Sequence, residues 1–377
     1  MIHRVHRVLL LAVMTLAVFT TVISVYGFLL FPHKTDLLAR YREGQAWVQG
    51  TPLYRPIPSV NMFTPWVTQL IFAPMSRLPF RAVQVGCLAL NALALAISLR
   101  SIAGTLGLSA TRTVAMSAVL LSLHGMLQSW MLGQFTGLLL LPTTLSWIAF
   151  RKGRHVLSGA WLAPVIALKP TFAMLALLLP VPVWLSAGLL SLTLTLIGVA
   201  MTGTEAWRHW IAAGASVDWI RLPFNASLWG LVARWQAGEP PARALQDLNP
   251  FVITGVLIAI VFLARHARTS RQPDRRYFFA TVVSVLASPL GWIYYVPLAV
   301  GPATATWPGS LLAMAACAVL ISPMIGPLHE AGPVLGSMYF VGLMGAWVAW
   351  AVAEKVPEAS IKARRSLDPT QAGETSA

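Results

Sequence analysis

Long apolar stretches recur along almost the whole chain, separated by polar connections, and most of them carry no polar face. A uniformly apolar helix of about 20 residues matches the roughly 30 Å hydrocarbon core of a bilayer, so these stretches predict membrane-spanning helices rather than the one-faced helices of a soluble core. Spans are predicted near Leu9 to Leu30, Trp66 to Leu99, Thr113 to Leu127, Phe135 to Phe150, Val156 to Leu168, Thr171 to Trp184 and Leu185 to Met201. Five more follow near Pro250 to Ala264, Tyr277 to Ser288, Trp292 to Ala305, Gly309 to Met324 and Val334 to Ala353. The total is about twelve crossings, an even number that leaves both termini on one side. Pro180, Pro182, Pro289 and Pro297 interrupt runs that read either as kinked helices or as pairs, which leaves the count open by about two.

Two long polar connections, 32–65 and 202–249, fall on the other side of the membrane from the termini. Neither reads as a plain linker. In the first, Asp36 to Gln49 predicts a helix ended by Gly50 and Pro52, with Leu37, Tyr41, Gly44 and Val48 on an oily face and Asp36, Arg40, Glu43 and Trp47 on a chemical one. In the second, Trp207, Trp210, Ile211, Gly214 and Val217 share a face, with Arg208, His209 and Asp218 turned elsewhere. A helix of that kind lies in the membrane interface with its indoles at headgroup depth.

Composition agrees, at 57% hydrophobic and 10% charged residues. The net charge of +15 sits in short clusters in alternate connections (Arg100 with Arg112, Arg151 to Arg154, Arg265 to Arg276, Lys355 to Arg365), as the positive-inside bias requires, and not along a face that would bind nucleic acid. His3, Arg4, His6 and Arg7 before the first span predict cytoplasmic termini. That span is too long for a signal-peptide core, so it is expected to be retained. Residues 1–353 are expected to form one transmembrane domain and 354–377 a disordered cytoplasmic tail. Cys87 and Cys317 lie in apolar segments without metal-ligand or disulfide spacing. With 22 Arg to 5 Lys, the codon bias is that of a GC-rich bacterium, and a multi-pass plasma (inner) membrane protein is expected.

The charges in the apolar surroundings carry the candidate chemistry. Asp36 lies within a few residues of where the first span leaves the bilayer; it reads either as the cap of its helix or as a general base for a hydroxyl held at the membrane surface. Lys169 follows a 13-residue apolar run, Val156 to Leu168, which spans only about 20 Å, and precedes Pro170. An ammonium at that depth needs an anionic partner or a wet cavity, the alternative being a lysine that snorkels to the headgroups. Gln134 reads as cavity-lining or as a bond to a neighbouring helix, and Asn225-Ala226-Ser227 matches a glycosylation acceptor pattern that occurs often by chance. Ser288 to Tyr295 reads as a re-entrant turn or as aromatic core packing. No phosphate-cradling glycine loop, His-Glu-x-x-His or nucleophile elbow occurs, and no acidic cluster calls for a metal ion.

Asp36 followed by YREGQAWVQGTPLY, FTPWVTQLIFAPMSRLP from Phe63, GQFTGLLLL from Gly133, SGAWLAPVIALKPTFAMLALLL from Ser158, NASLWGLVAR from Asn225 and SPLGWIYYVPL from Ser288 stand in an order that resembles glycosyltransferase family 87, the polyprenyl-phosphate-sugar-dependent membrane glycosyltransferases of the GT-C type. The resemblance covers roughly Leu9 to Leu298. It implies a helical GT-C bundle whose outward loops, facing the periplasm or outer side, hold the site. Asp36 takes the family's place as base, Lys169 the basic motif position, and Gln134, Asn225 and Arg234 cavity-lining positions. The family usually has a histidine shortly after Ser-Pro-x-x-Trp; this chain has Ile293, Tyr294 and Tyr295, and a tyrosine can donate a hydrogen bond to a phosphate without carrying charge near neutral pH.

The implied reaction is metal- and cofactor-free. A sugar, mannose first and arabinofuranose second, passes from a polyprenyl phosphate to a lipid or glycan hydroxyl with inversion, while Lys169 with Arg234, Arg208 or Arg55 steadies the leaving phosphate and Arg40, Tyr294 and Tyr295 are further candidates for binding donor phosphate or substrate. Membrane lipids surround the protein. A transporter or lipid flippase, or a non-catalytic relative in envelope assembly, fits the helix count equally.

Overall fold

In the computed structural model of the chain, residues 2–31, 33, 35–51, 63–215, 219–236, 247–321 and 333–354 are described, and among them there is no β-strand. Arg55, Val217, Asp218 and the whole of the expected tail after Glu354 lie outside the described residues.

Helix α1 (Ile2–Leu30) is followed by α2 (Asp36–Val48), then by a broken segment of two helical turns, Pro65–Val67 and Ala73–Met75, flanking a π-helical turn at Thr68–Phe72. Next come α3 (Phe80–Leu106), α4 (Ala110–Ser122), α5 (His124–Leu132), α6 (Thr136–Arg151) and α7 (His155–Leu168). A 3-10 turn at Pro170–Phe172 and one helical turn, Ala173–Leu177, lead to α8 (Val181–Thr202). The rest is α9 (Thr204–Ala215), a 3-10 turn Trp219–Arg221, α10 (Leu228–Trp235), α11 (Pro250–Thr269), α12 (Pro273–Ala287), a 3-10 segment Ile293–Ala299 running into Val300–Ala305, α13 (Leu311–Ile321), a helical turn Pro333–Gly336 and α14 (Met338–Glu354).

Four of these helices, in α1, α3, α8 and α11, are long and apolar enough to cross a membrane, and a fifth if α4 and α5, bent by 62° at Leu123, count as one span. The shorter apolar helices α7, α13 and α14 stand beside them. Several expected segments differ: Trp292 to Ala305 is a 3-10 segment as far as Ala299, and Val334 to Ala353 is interrupted at Ser337. Trp66 to Leu99 is not one helix, because Pro74 and the connection Ser76 to Pro79 end the first piece before Phe80. The break expected between Trp184 and Leu185 falls instead at Pro180, which caps α8, and Pro182 sits in the first turn where no amide is needed. Thr113 to Leu127 bends because Leu123 is extended, with φ −58° and ψ 131°.

The bundle is built around α12. Every residue from Tyr277 to Leu286 is buried, as expected of a helix apolar on all sides. Outer helices carry apolar surface outward: on α11, Phe251 is 88% and Val261 66% exposed, which suits contact with lipid chains. Polar side chains inside the bundle serve the backbone. Asn91 of α3 accepts from the amides of Gly137 (3.1 Å) and Leu138 (3.3 Å), satisfying the start of α6, whose own cap residue Phe135 offers no side-chain acceptor. At the opposite end of α6, Trp147 donates to Asp274 (2.9 Å) and Arg151 pairs with the same carboxylate, tying α6 to the start of α12.

Candidate active site

A cavity of about 280 Å³ opens where the first turn of α2, the middle of α5, the turn after α5, the end of α7 and two irregular loops converge. Its described lining includes Asp36, Arg40, Gln128, Gln134, Lys169 and an aromatic wall of Trp219, Phe224, Trp292 and Tyr294.

Asp36 reaches it because of how α2 begins. The cap is Thr35, whose hydroxyl accepts from the Leu38 amide (3.2 Å). The Asp36 carboxylate is therefore not consumed by the cap, and its side chain remains 23% exposed. The expected oily face of α2 is realised in part. Leu37 and Gly44 are buried, but so is Arg40, while Val48 is 49% exposed. Gly44 is needed because a Cβ there would stand 2.1 Å from the carbonyl oxygen of Phe72.

Arg40 is held between the rings of Phe63 (4.8 Å) and Phe135 (5.1 Å), which compensate part of its burial by cation-π attraction. It donates to the Gly133 carbonyl (3.2 Å) and to Gln134 Oε1 (2.8 Å), and its nearer nitrogen is 3.9 Å from Asp36 Oδ2. With Gln134 Oε1 thus fixed, its Nε2 donates to Asp36 Oδ2. Gly133, left-handed at φ 67°, ends α5 and turns the chain so that Gln134 meets α2. Burial pushes the Asp36 carboxyl above the ordinary carboxylate range, opposed by Arg40, Lys169 and the Gln134 bond.

Lys169 is the residue between α7 and the Pro170 turn. Its backbone amide bonds Val165 (2.9 Å), and the Thr64 hydroxyl donates to the neighbouring Ala167 carbonyl (3.1 Å). The ammonium lies 4.4 Å from the Phe63 ring centroid and 5.6 Å from that of Tyr295, is 8% exposed, and has no hydrogen bond or ion pair among the described residues. Burial, then the Arg40 charge, holds Lys169 down to about 7 with Asp36 opposing, and an anion entering the cavity would favour its charged form.

The other expected residues divide. Tyr294 lines the cavity, stacked on Trp292 at 6.0 Å, whereas Tyr295 lies behind it against Phe172 (4.9 Å). Asn225 does not line it. It is fully buried, and its amide joins the two loops, donating to the carbonyls of Ile220 (2.9 Å) and Pro289 (2.8 Å) and accepting from the amides of Ser227 (3.2 Å) and Gly291 (3.0 Å). The tripeptide that matched a glycosylation pattern is thus internal, and its Ser227 caps α10. Arg234 is likewise behind the wall, donating to Leu222 and Asn225 carbonyls (3.0 and 3.1 Å) and to Ser337 (3.1 Å); burial, then Arg221, holds it down to about 10. Arg208 is exposed on α9 and outside the lining.

Gln128, Leu132, Trp219, Leu222, Phe224 and Trp292 line the cavity without having been singled out in the sequence. Trp219 and Phe224 lacked any signal beyond membrane-interface abundance, whereas Trp292 stood in the Ser-Pro-x-x-Trp stretch. Gln128 had a signal too, a polar side chain one helical turn from His124 in an apolar run. Among the described residues no histidine lines the cavity, and no group of three or more His, Cys, Asp or Glu gathers that could hold a metal ion.

No curated protein and no solved structure matches the chain. The family model of glycosyltransferase family 87 does, over residues 65–290. The matched segment begins after Asp36 and ends before Tyr294, and it carries Gln134, Lys169, Asn225, Arg234 and Ser288-Pro289. With well over half of its length matched, the chain belongs to glycosyltransferase family 87.

Proposed function

We propose that the protein transfers a sugar, mannose first among the candidates, from a polyprenyl monophosphate to a hydroxyl of a lipid or glycan, on the outer face of a bacterial plasma membrane. The observation that carries this reading is an oriented carboxylate and a buried lysine with no hydrogen-bond partner among the described residues, both in one aromatic-walled cavity. Asp36 accepts the acceptor hydroxyl's proton as its oxygen attacks the anomeric carbon. The bond from that carbon to the phosphate oxygen breaks on the opposite side, and polyprenyl monophosphate departs toward Lys169. The sugar is inverted in a single displacement, and no covalent sugar-enzyme species forms. Arg40 and Gln134 act one step back, by holding the carboxylate. Arg234 and Asn225 shape the loops that carry Trp219, Phe224 and Trp292. Arg55 and Arg208, in the two polar connections that the sequence pattern puts outside, are further candidates for phosphate contact. Both termini stay cytoplasmic, and residues 1–353 act as one unit with about twelve crossings.

Ion-coupled transporters commonly place carboxylates inside their spans, and none of the four long apolar helices carries an Asp or Glu. Sugar transfer is the better account of a lone acid at the mouth of α2. Purified Asp36→Asn should consume polyprenyl-phosphate mannose at least about a hundredfold more slowly than wild type, the scale for losing a general base. Turnover near the wild-type rate would remove Asp36 from the chemistry.

A further inference from the structure

Behind the cavity wall runs a polar chain that the transfer step does not use. Gln128 of α5 lines the cavity, and its Nε2 lies 2.8 Å from Nε2 of His124, one turn earlier on the same helix. The other ring nitrogen, Nδ1, is hydrogen-bonded to the hydroxyl of Tyr339 on α14. His124 is 2% exposed and Tyr339 is fully buried, and Phe224 of the cavity wall packs on both, at 5.9 and 6.5 Å between centroids. His124 is also fixed in depth, since a Cβ on the adjacent Gly125 would stand 2.2 Å from the Ile293 carbonyl oxygen.

A neutral imidazole has one donor and one acceptor nitrogen, so engaging both orients whatever they hold. With the Gln128 amide nitrogen on the ring, Nε2 accepts, Nδ1 donates to the Tyr339 oxygen, and Gln128 Oε1 is left for the cavity. In the opposite tautomer Tyr339 donates to Nδ1, Nε2 donates to Oε1, and the amide nitrogen is left. Either arrangement presents one directed, uncharged polar group beside Phe224 and its aromatic neighbours. An uncharged group on an aromatic wall matches a sugar, whose ring face stacks while a hydroxyl bonds, better than it matches a phosphate, for which Lys169 supplies charge.

We propose that Gln128 recognises one ring hydroxyl of the bound sugar, and that His124 and Tyr339 are positioning residues that fix its amide. The assignment rests on the sugar-transfer reading of the cavity. It is tested by calorimetric binding of short-chain polyprenyl-phosphate mannose, and of its monodeoxy forms at carbons 2, 3, 4 and 6, to the full-length protein, with turnover followed in parallel. Wild type should bind one deoxy form at least about tenfold more weakly than the parent, the scale of one lost hydrogen bond to a polar partner left unpaired. Gln128→Ala should bind the parent as weakly as that deoxy form, and the deoxy form as wild type does. Adding His124→Ala to Gln128→Ala should cost nothing more, and Tyr339→Phe, which keeps the ring, should lose part of the discrimination. Equal discrimination by wild type and Gln128→Ala overturns the assignment, whatever the turnover. Gln128-dependent discrimination without turnover supports it and overturns sugar transfer. Wild type that binds none of the forms overturns both.

Discussion

At the scale of single residues, the site turns on how one carboxylate is kept available. Thr35 takes the capping duty that Asp36 would otherwise perform, and Gln134, itself fixed by Arg40, points the carboxylate at the cavity. The sign of its titration then predicts a pH profile. Burial raises the Asp36 carboxyl, and a base must be ionised, so kcat/KM should fall on the acid side at a pH above the ordinary carboxylate range. Arg40 opposes that shift, so Arg40→Gln should move the acid limb to still higher pH. A limb that moves down, or stays where it was, means Asp36 is not the titrating base. Asp36 and Lys169 were both legible as residues because charge in an oily setting is conspicuous. Their support was not, since Arg40, Phe63, Phe135 and Gln134 come from segments far apart in the chain that only folding brings together.

At the scale of elements, irregular segments, not long helices, carry the site. The loop 219–226 and the turn 289–294 are zipped by Ala226 donating to the Gly291 carbonyl (2.8 Å), Ile293 donating to that of Phe224 (2.9 Å), and the bonds of Asn225 to Pro289 and Gly291, while its bonds to Ile220 and Ser227 shape its own loop. Asn225→Ala would leave buried donors and acceptors on both loops unpaired. It should therefore cost about 2–4 kcal/mol, read as a lowered unfolding midpoint in detergent, and an unchanged midpoint would show that water replaces the amide. Sequence pattern located the two polar connections and the break at Ser288-Pro289, because prolines and charges stand out against apolar runs. It misplaced the breaks at Ser76 to Pro79 and at Pro180, where one arginine and single prolines interrupt runs that are otherwise apolar on both sides, too brief a signal to tell a kink from a change of direction.

At the scale of the whole molecule, a central helix buried on every side is surrounded by helices that expose leucine, valine and phenylalanine outward, and the cavity lies where the loops of α2, α7 and α10 meet. Apolar periodicity made the class of this architecture legible. The number of crossings was less so, since short helices such as α5 and α7 combine into bent or partial spans. Sidedness is open to direct test through α9, whose Arg208 is exposed. An Arg208→Cys variant in intact cells with a permeabilised outer barrier should react with a membrane-impermeant maleimide, above the background of wild type with Cys87 and Cys317. Labelling only after the plasma membrane is opened would put the cavity on the cytoplasmic side. The most direct measurement is a structure of Asp36→Asn holding uncleaved polyprenyl-phosphate mannose. The account predicts phosphate density within hydrogen-bond reach of Lys169 and the anomeric carbon turned toward residue 36. A donor seated elsewhere, or with its phosphate against residue 36, would contradict it.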